Sequence, residues 1–287
     1  MAASAPPHIT ETEWSHIAPG MAQMVAAGPG VAPAKHMAGH AASLLPFSFP
    51  DTLVVDMGCG PGQVTNAVLQ EHRDQLSKKV IGADNNPQMI EQYNARQQVE
   101  VAKGNTYWEH AETLTVDVHD CSTALADNSV SHMLCGFIVF LVPDPAKAIA
   151  SMHRAIAPGG VLAMSSLVGA EWVKLANYPV QVRPDLAAPF GPANGCSSPD
   201  EVTAHLQKAG FRDIETVEVQ SYMEFDDYEF VTRFILNRLP QATRAVAKMT
   251  NDEILQTQEK MITDLKTWHP TLPAKMLGKV NIAYCRK

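Results

Sequence analysis

Three aspartates lie at the ends of predicted strands, where their carboxylates could bind a polar ligand. Asp56 precedes the glycine-rich run of VVDMGCGPGQ, Asp84 ends KVIGAD, and Asp117 belongs to LTVDV. A glycine-rich turn between a strand and a helix lets the backbone approach a ligand closely. The glycines here are spaced GxGxG, and Gln63 stands where the GxGxxG motif of dinucleotide-binding proteins has its last glycine.

Each of these acids suits a different ligand group. Asp56 would repel a pyrophosphate and attract an ammonium group. Asp84 can accept hydrogen bonds from both hydroxyls of a ribose, and Asp117 can accept one from the amino group of adenine. Alternatively, each acid serves only a turn or a helix N-terminus. Together they fit a ligand with an ammonium group, a ribose and an adenine but no phosphate, which describes S-adenosylmethionine.

The elements that position these acids alternate between strand and helix. Such alternation predicts an α/β fold with a doubly wound, mostly parallel sheet, whose ligands bind beyond the carboxyl ends of the strands. The predicted strands are TLVVDMG, KVIGAD, LTVDV (114–118), one within 131–140, VLAMSSL (161–167), 213–222 and 279–287; the predicted helices are 63–76, 87–98, 145–157, 198–211 and two or three within 226–267.

These motifs, in this order, resemble those of the class I S-adenosylmethionine-dependent methyltransferases. VVDMGCGPG resembles the first motif, GADNNPQMIE the second, LTVDVHDCSTALADNSVSHML the adenine-site segment, and RAIAPGGVLAMSSL the fifth-strand motif. The resemblance covers about residues 50 to 220 and implies a Rossmann-like fold with a seven-stranded sheet. Trp172 and a helical insertion before the last strand are most similar to fungal small-molecule methyltransferases of secondary metabolism. The chain departs from the family at Asn86, where a small hydroxyl residue is frequent, and in HDCSTALADNSV, which lacks a Leu-Pro pair.

The resemblance implies a role for each motif residue in binding the cofactor. At the methionine end it implies Asp56 and the backbone amides of the glycine loop, with Cys135 and Gly136, which end the fourth strand, lining the sulfonium and substrate side. At the nucleoside end it implies that Asp84 binds the ribose and that Asn85 and Met89 flank the adenine. Asp117 and the backbone of Val118 would then bind the edge of the adenine. The expected cofactor-binding residues are Asp56, Gly58, Cys59, Gly60, Asp84, Asn85, Met89, Asp117, Val118, Cys135 and Gly136.

The reaction expected of such a site is an in-line displacement at a sulfonium, for which positioning supplies much of the acceleration. A thiolate or amine acceptor needs no base, whereas a hydroxyl acceptor usually does. His36 and His40 are the candidate bases, because an N-terminal segment often covers the cofactor in this family; a reaction without a base is the alternative. Phe137, Trp172 and Tyr178 are the expected substrate contacts, although such aromatic residues could simply pack a cap.

Composition narrows the classes of function. The 287 residues carry a net charge of −8 with scattered lysines and arginines, which argues against a nucleic-acid partner. No apolar run approaches the roughly 18 residues of a membrane span, and no secretory signal is recognisable. The five cysteines form no CxxC pair, so neither a metal nor a disulfide framework is expected. We therefore expect a cytoplasmic monomer or homodimer that acts on a small molecule.

The chain is expected to divide into three parts. These are an N-terminal tail and helical cover (1–45), a cofactor-binding core (46–222 with 276–287), and a helical cap (223–275). Two other functions remain open for this organisation. The bound cofactor could act as a fixed charge for cyclisation or elimination, or the chain could be a non-catalytic partner subunit, although Asp56, Asp84 and Asp117 are all intact.

Overall fold

The computed structural model describes residues 9–24, 28–186, 196 and 198–287, without the side chain of residue 241. The strands are β1 (Val54–Met57), β2 (Val80–Asp84), β3 (Ala111–Thr115), β4 (Val130–Cys135), β5 (Ile156–Ala170), β6 (Arg212–Phe225) and β7 (Ala274–Arg286). The α-helices are α1 (Glu11–Met24), α2 (Val31–Leu44), α3 (Gln63–His72), α4 (Pro87–Ala102), α5 (Pro145–Ala155), α6 (Glu171–Ala176), α7 (Pro179–Val182), α8 (Pro199–Lys208), α9 (Tyr228–Arg238), α10 (Pro240–Val246) and α11 (Asn251–Trp268).

The strands form one sheet in the order β3-β2-β1-β4-β5-β7-β6. The first five strands are parallel, and β7 runs antiparallel between β5 and β6. This confirms the predicted Rossmann-like α/β fold with a mostly parallel sheet. The strand order reverses between β1 and β4, and this switch point is where ligands of such folds bind.

Local sequence accounts for most of these elements. All four residues of β1 are buried, as expected for a central parallel strand covered on both faces. Ser198 and Glu201 form a capping box at the start of α8. At the start of α4, the side chain of Asn86 accepts hydrogen bonds from the backbone N–H groups of Gln88 and Met89. The asparagine therefore caps the helix as a hydroxyl residue would.

Helices cover both faces of the sheet. One face carries α5 and α8 over a core that includes Met133 and Leu162, and the other carries α2 and α3 over a core that includes Leu134 and Tyr284. A third core joins α6, α9 and α11 to the ends of β6 and β7. None of the helices in the described residues is both long and apolar enough to cross a membrane.

Several element boundaries differ from those predicted. Strand β3 pairs with β2 over 111–115, not 114–118, so Asp117 lies beyond the strand and caps a short 3-10 helix. Helix α3 ends earlier than predicted and α4 extends further. Strands β6 and β7 exceed their predicted lengths because they pair with each other as far as Phe225 and Ala274, a long-range contact that local sequence does not show. Part of the predicted N-terminal tail, 1–8, lies outside the described residues.

Candidate active site

A cavity of about 510 Å³ opens at the carboxyl ends of β1, β2, β4 and β5. Helices α1 and α2 and the start of α10 complete its walls. All three aspartates line it, which is the outcome expected from strands whose carboxyl ends meet at one edge. Of the sixteen residues named above as site candidates, the described cavity wall contains Asp56, Gly58, Cys59, Gly60, Asp84, Asn85, Met89, Asp117, Val118, Gly136, Phe137 and Trp172.

The glycine loop forms a wall of the cavity and is tied to the neighbouring strand. The backbone N–H groups of Gly58 and Cys59 both donate to the carbonyl of Ala83, at 2.7 and 3.0 Å. The N–H of Gly60 donates to Oδ2 of Asp84 at 3.0 Å. These amides were expected to hold the methionine end of the ligand, but in the structure they bind β2 instead, because the loop curls over the end of that strand.

Asp56 is a buried carboxylate at the base of the cavity, with a side chain fixed by Thr65. Its Oδ2 accepts from the Thr65 backbone N–H at 2.8 Å and from the Thr65 hydroxyl at 2.7 Å. The residue is only 1% exposed, and burial raises its pKa to about 6 despite these hydrogen bonds. A cationic group next to Asp56 would favour its ionised form, as an ammonium or sulfonium would.

Asp84 ends β2 and bridges the glycine loop and the start of α4. Its Oδ1 accepts from the N–H of Asn86 at 2.9 Å, and its Oδ2 accepts from Gly60. Burial raises its pKa, an effect that these hydrogen bonds oppose. Since each carboxylate oxygen has a second lone pair, both can still accept a hydroxyl. This geometry suits a ribose diol.

Asp117 lies beside His119, which was not among the predicted site residues. Its Oδ1 accepts hydrogen bonds from the backbone N–H and from ring Nδ1 of His119, both at 2.8 Å. Burial alone would raise the pKa of Asp117, but these bonds lower it below its ordinary value. The D-x-H spacing in VDVHD was the available signal, since Asp side chains often bind the backbone two residues on.

The other end of the cavity is built around the turn after β4. Phe137 has a φ of 60°, a left-handed conformation that is uncommon for a non-glycine residue. Its N–H donates to the hydroxyl of Ser165 at 2.9 Å, and Ser165, on β5, also lines the cavity. Trp172 closes this end, with its ring packed against the backbone of Gly278. Ser165 is a second residue that sequence patterns did not identify.

Four of the expected site residues lie away from the cavity. Cys135 is fully buried in the core, and burial raises its thiol pKa, so it does not line the sulfonium side as predicted. Tyr178, at the start of α7, packs with residues of α6, α9 and α11 and donates to Asp264 at 2.5 Å. Its expected substrate contact is replaced by a contact between α7 and α11.

The two candidate bases also point elsewhere. His36 Nδ1 lies 2.6 Å from the hydroxyl of Tyr284, and His40 Nε2 lies 3.2 Å from Glu215. Positions four apart share one face of a helix, and this face of α2 packs on β6 and β7. Met37, which lies about 100° around the helix from His36, lines the cavity instead. The structure thus separates both histidines from the site, and burial lowers the pKa of His36.

The charges of the wall fit the cofactor predicted from the motifs. Among the described lining residues there are four acids and no lysine or arginine. Such a wall attracts cations and offers no side-chain cation to a phosphate. The acids of the wall are Glu11, Asp56, Asp84 and Asp117.

Comparisons with known proteins identify the family of this chain. A family model described as a methyltransferase domain matches residues 55–164. A carboxy-S-adenosyl-L-methionine synthase of Stutzerimonas stutzeri is 30% identical over 186 residues, 58% of this chain and 71% of that protein. Methyltransferase ucsB of Acremonium sp. is 27% identical over 232 residues, 80% of each chain. The crystal structure of the [4+2]-cyclase SpnF shares the fold, with a TM-score of 0.52, 17% identity and 99% coverage of both chains.

The chain belongs to the class I S-adenosylmethionine-dependent methyltransferases. It is therefore an enzyme that uses S-adenosylmethionine, and the alternative of a non-catalytic subunit is set aside.

Proposed function

We propose that the enzyme transfers the methyl group to an oxygen, sulfur or nitrogen atom of a small, largely apolar metabolite. The observation that carries this proposal is the division of the cavity into an acidic half, where the cofactor's polar groups would bind, and an apolar half beyond the turn after β4. Apolar pockets with a few placed polar groups are typical of small-molecule sites. The apolar half is lined by Met24, Met37, Phe137, Phe140, Leu167, Trp172, Val173 and Leu239, whereas Trp14, Ile17 and Met21 pack with Met89 at the nucleoside end.

Positioning is the main source of acceleration in this proposal. Bound S-adenosylmethionine supplies an activated methyl group, and the walls hold an acceptor atom in line with it. The one imidazole among the described lining residues is that of His119, which is bonded to Asp117. An acceptor that reacts without a base, such as a thiolate or a neutral amine, suits this arrangement best.

Ser165 is the polar group that we assign to the acceptor. Its hydroxyl oxygen accepts from Phe137, and within the described residues its proton is donated to no acceptor. The residue is 1% exposed and lies in the wall of the apolar half. A buried hydroxyl with a free proton can orient the lone pair of an incoming heteroatom.

The cofactor half is tested by calorimetric titration with S-adenosylmethionine and S-adenosylhomocysteine. Replacing Asp84 with asparagine removes the charge that strengthens its hydrogen bonds, so we expect the affinity to fall about 10- to 100-fold. Asp252→Asn, at an exposed position in the first turn of α11, is the matched control and should bind normally. Unchanged affinity in Asp84→Asn would remove the ribose role from this carboxylate.

The acceptor half is tested by mass spectrometry of reactions with thiophenol, naphthol and aniline. The expected product carries one additional methyl group and forms together with S-adenosylhomocysteine. Ser165→Ala should reduce turnover while cofactor affinity stays unchanged, and Ser165→Thr, which keeps a hydroxyl, should restore part of it. Conversion of a polyunsaturated acceptor to a cyclic product of unchanged mass, or to a product that has lost a leaving group and gained no methyl, would instead support the alternative, in which the bound cofactor serves as a fixed charge for cyclisation or elimination.

A further inference from the structure

Asp117 and His119 form a hydrogen-bonded pair in the wall of the cofactor half. Oδ1 of Asp117 accepts both bonds, one from the backbone and one from the ring of His119. The side chain of His119 is 15% exposed and that of Asp117 is 50% exposed. An ionised carboxylate has no proton to donate, so the ring carries its proton on Nδ1. The histidine is therefore the donor, and the aspartate is held as the acceptor.

The pair leaves the second oxygen of the carboxylate available. Within the described residues, Oδ2 of Asp117 has no hydrogen-bond partner, and Asp117 lines the cavity. A carboxylate oxygen only accepts. The exocyclic amino group of adenine donates to such an atom. Hypoxanthine has a carbonyl oxygen at that position, and the lone pairs of this oxygen would repel those of Oδ2. A fixed Oδ2 can therefore distinguish the two bases.

We propose that His119 is a positioning residue that fixes the Asp117 carboxylate with Oδ2 toward the adenine amino group, so that the site selects adenine over hypoxanthine. This inference rests on the adenine role expected of Asp117 in the proposed cofactor site. A half-exposed aspartate side chain is otherwise free to rotate and to bind water. Two bonds to one oxygen restrict that rotation before the ligand arrives, and such preorganisation strengthens binding.

The test compares the affinities of S-adenosylhomocysteine and S-inosylhomocysteine, which carries hypoxanthine, by calorimetry. The wild-type enzyme should prefer the adenine ligand about 10- to 100-fold, the range expected for a hydrogen bond to a charged group. His119→Phe keeps a ring but has no donor, and it should lose most of this preference. His119→Asn can donate from its amide and should retain it. Asp117→Asn, which can turn an amide donor toward hypoxanthine, should abolish it.

Each outcome distinguishes the positioning role of His119 from the adenine role of Asp117 on which it rests. A wild-type ratio near one would remove the adenine role from Asp117. A preference lost in Asp117→Asn but intact in His119→Phe would overturn the positioning role of His119 alone. Equal weakening of both ligands in His119→Phe, with the ratio unchanged, would show a merely structural role and would overturn it as well. If His119→Phe does not fold, His119→Leu, which also lacks a donor, decides by the same ratio.

Discussion

Glu13 on α1 and Arg244 on α10 form a two-point ion pair between two helices that both border the cavity. Arg244 Nη2 lies 2.7 Å from one carboxylate oxygen, and Nε donates to the other. The carboxylate side chain is 29% exposed and the guanidinium side chain 23%. The hydrogen bond from Arg244 lowers the pKa of Glu13 to about 2. Since Trp14 of α1 packs with Met89 at the nucleoside end and Leu239 before α10 also lines the cavity, the pair joins two walls of the site.

Breaking this pair should loosen α1 and weaken ligand binding. For Glu13→Gln we expect a loss of about 1 kcal/mol in the free energy of unfolding, the usual scale for a partly exposed pair. We also expect a several-fold weaker affinity for S-adenosylmethionine. Glu218→Gln is the control, because its pair with Lys279 is more exposed, at 53% and 61%. A double-mutant cycle with Arg244→Gln isolates the coupling, and a coupling near zero would contradict the role of the pair.

The same pair has a defined pH dependence. The pKa of Glu13 is lowered by folding, so its stabilising contribution is complete above the ordinary value of 4.5 and is lost as the pH falls toward 2. Urea unfolding should therefore show a constant difference between wild type and Glu13→Gln at neutral pH, and a shrinking difference in acid. A difference that grows on acidification would be inconsistent with this ion pair.

The ionisation of Asp56 should make cofactor binding depend on pH. Its pKa is raised to about 6 by burial, so ionisation of this group costs folding free energy as the pH rises from the ordinary value of 3.8 through 6. A cationic ligand binds the ionised form and recovers part of that cost. We expect the affinity for S-adenosylmethionine to fall as the pH drops below 6, with a proton released on binding near that pH.

Calorimetry in two buffers of different ionisation enthalpy measures that proton directly. Asp56→Asn should bind more weakly at neutral pH and should release no proton from this site. The asparagine can still accept from Thr65, so the fold should survive the change. Proton release of the same size in Asp56→Asn would assign the linkage to a different group, with Asp84 the first to examine because its pKa is also raised.

Replacing Gly58 or Gly60 of the glycine loop with alanine should have different effects on stability. A Cβ on Gly58 would lie 2.3 Å from Cγ1 of Ile138, and the residue has a φ of 71°. A Cβ on Gly60 would find Sδ of Met89 no closer than 3.9 Å, at a φ of 47°. Gly58→Ala should lower the free energy of unfolding by about 1 to 3 kcal/mol, because it adds overlap to backbone strain.

Gly60→Ala should lose less stability, because it adds only the strain, while the methyl group projects at the cavity wall and weakens cofactor binding. Urea unfolding and calorimetry on both variants separate the two effects. Equal losses of stability in the two variants would mean that Ile138 moves aside at little cost.

Tyr178 should contribute to the stability of the fold and not to binding of the acceptor. Its hydroxyl donates to Asp264, and its pKa is raised by burial and by that carboxylate, so it stays protonated at neutral pH. Tyr178→Phe leaves Asp264 without this donor and should cost about 1 to 3 kcal/mol of unfolding free energy. Michaelis constants for any acceptor should not change. A raised Michaelis constant with unchanged stability would return Tyr178 to the substrate site.

Sequence patterns predicted the acidic half of the site better than its surroundings. Asp56 lies one residue before the end of β1 and Asp84 ends the neighbouring parallel strand, and strand ends in such a sheet converge by geometry alone. Asn86 was noted as a departure from the family, and the structure shows it capping α4. By contrast, Cys135 was placed on the cavity because it ends β4, although alternate residues of a strand face opposite sides. Cys135 lies in the core, and Gly136, the next residue, lies in the cavity wall.

The sequence by itself determined the fold class, the family and the edge of the sheet at which the acids meet, because these follow from local periodicity and from motifs of fixed spacing. The tertiary structure decided which face of α2 meets the cavity, so that Met37 lines it and His36 contacts Tyr284. It also decided the pairing of Glu13 with Arg244, residues far apart in the chain. Such contacts depend on how separately formed helices pack on the sheet, and no local pattern encodes that choice.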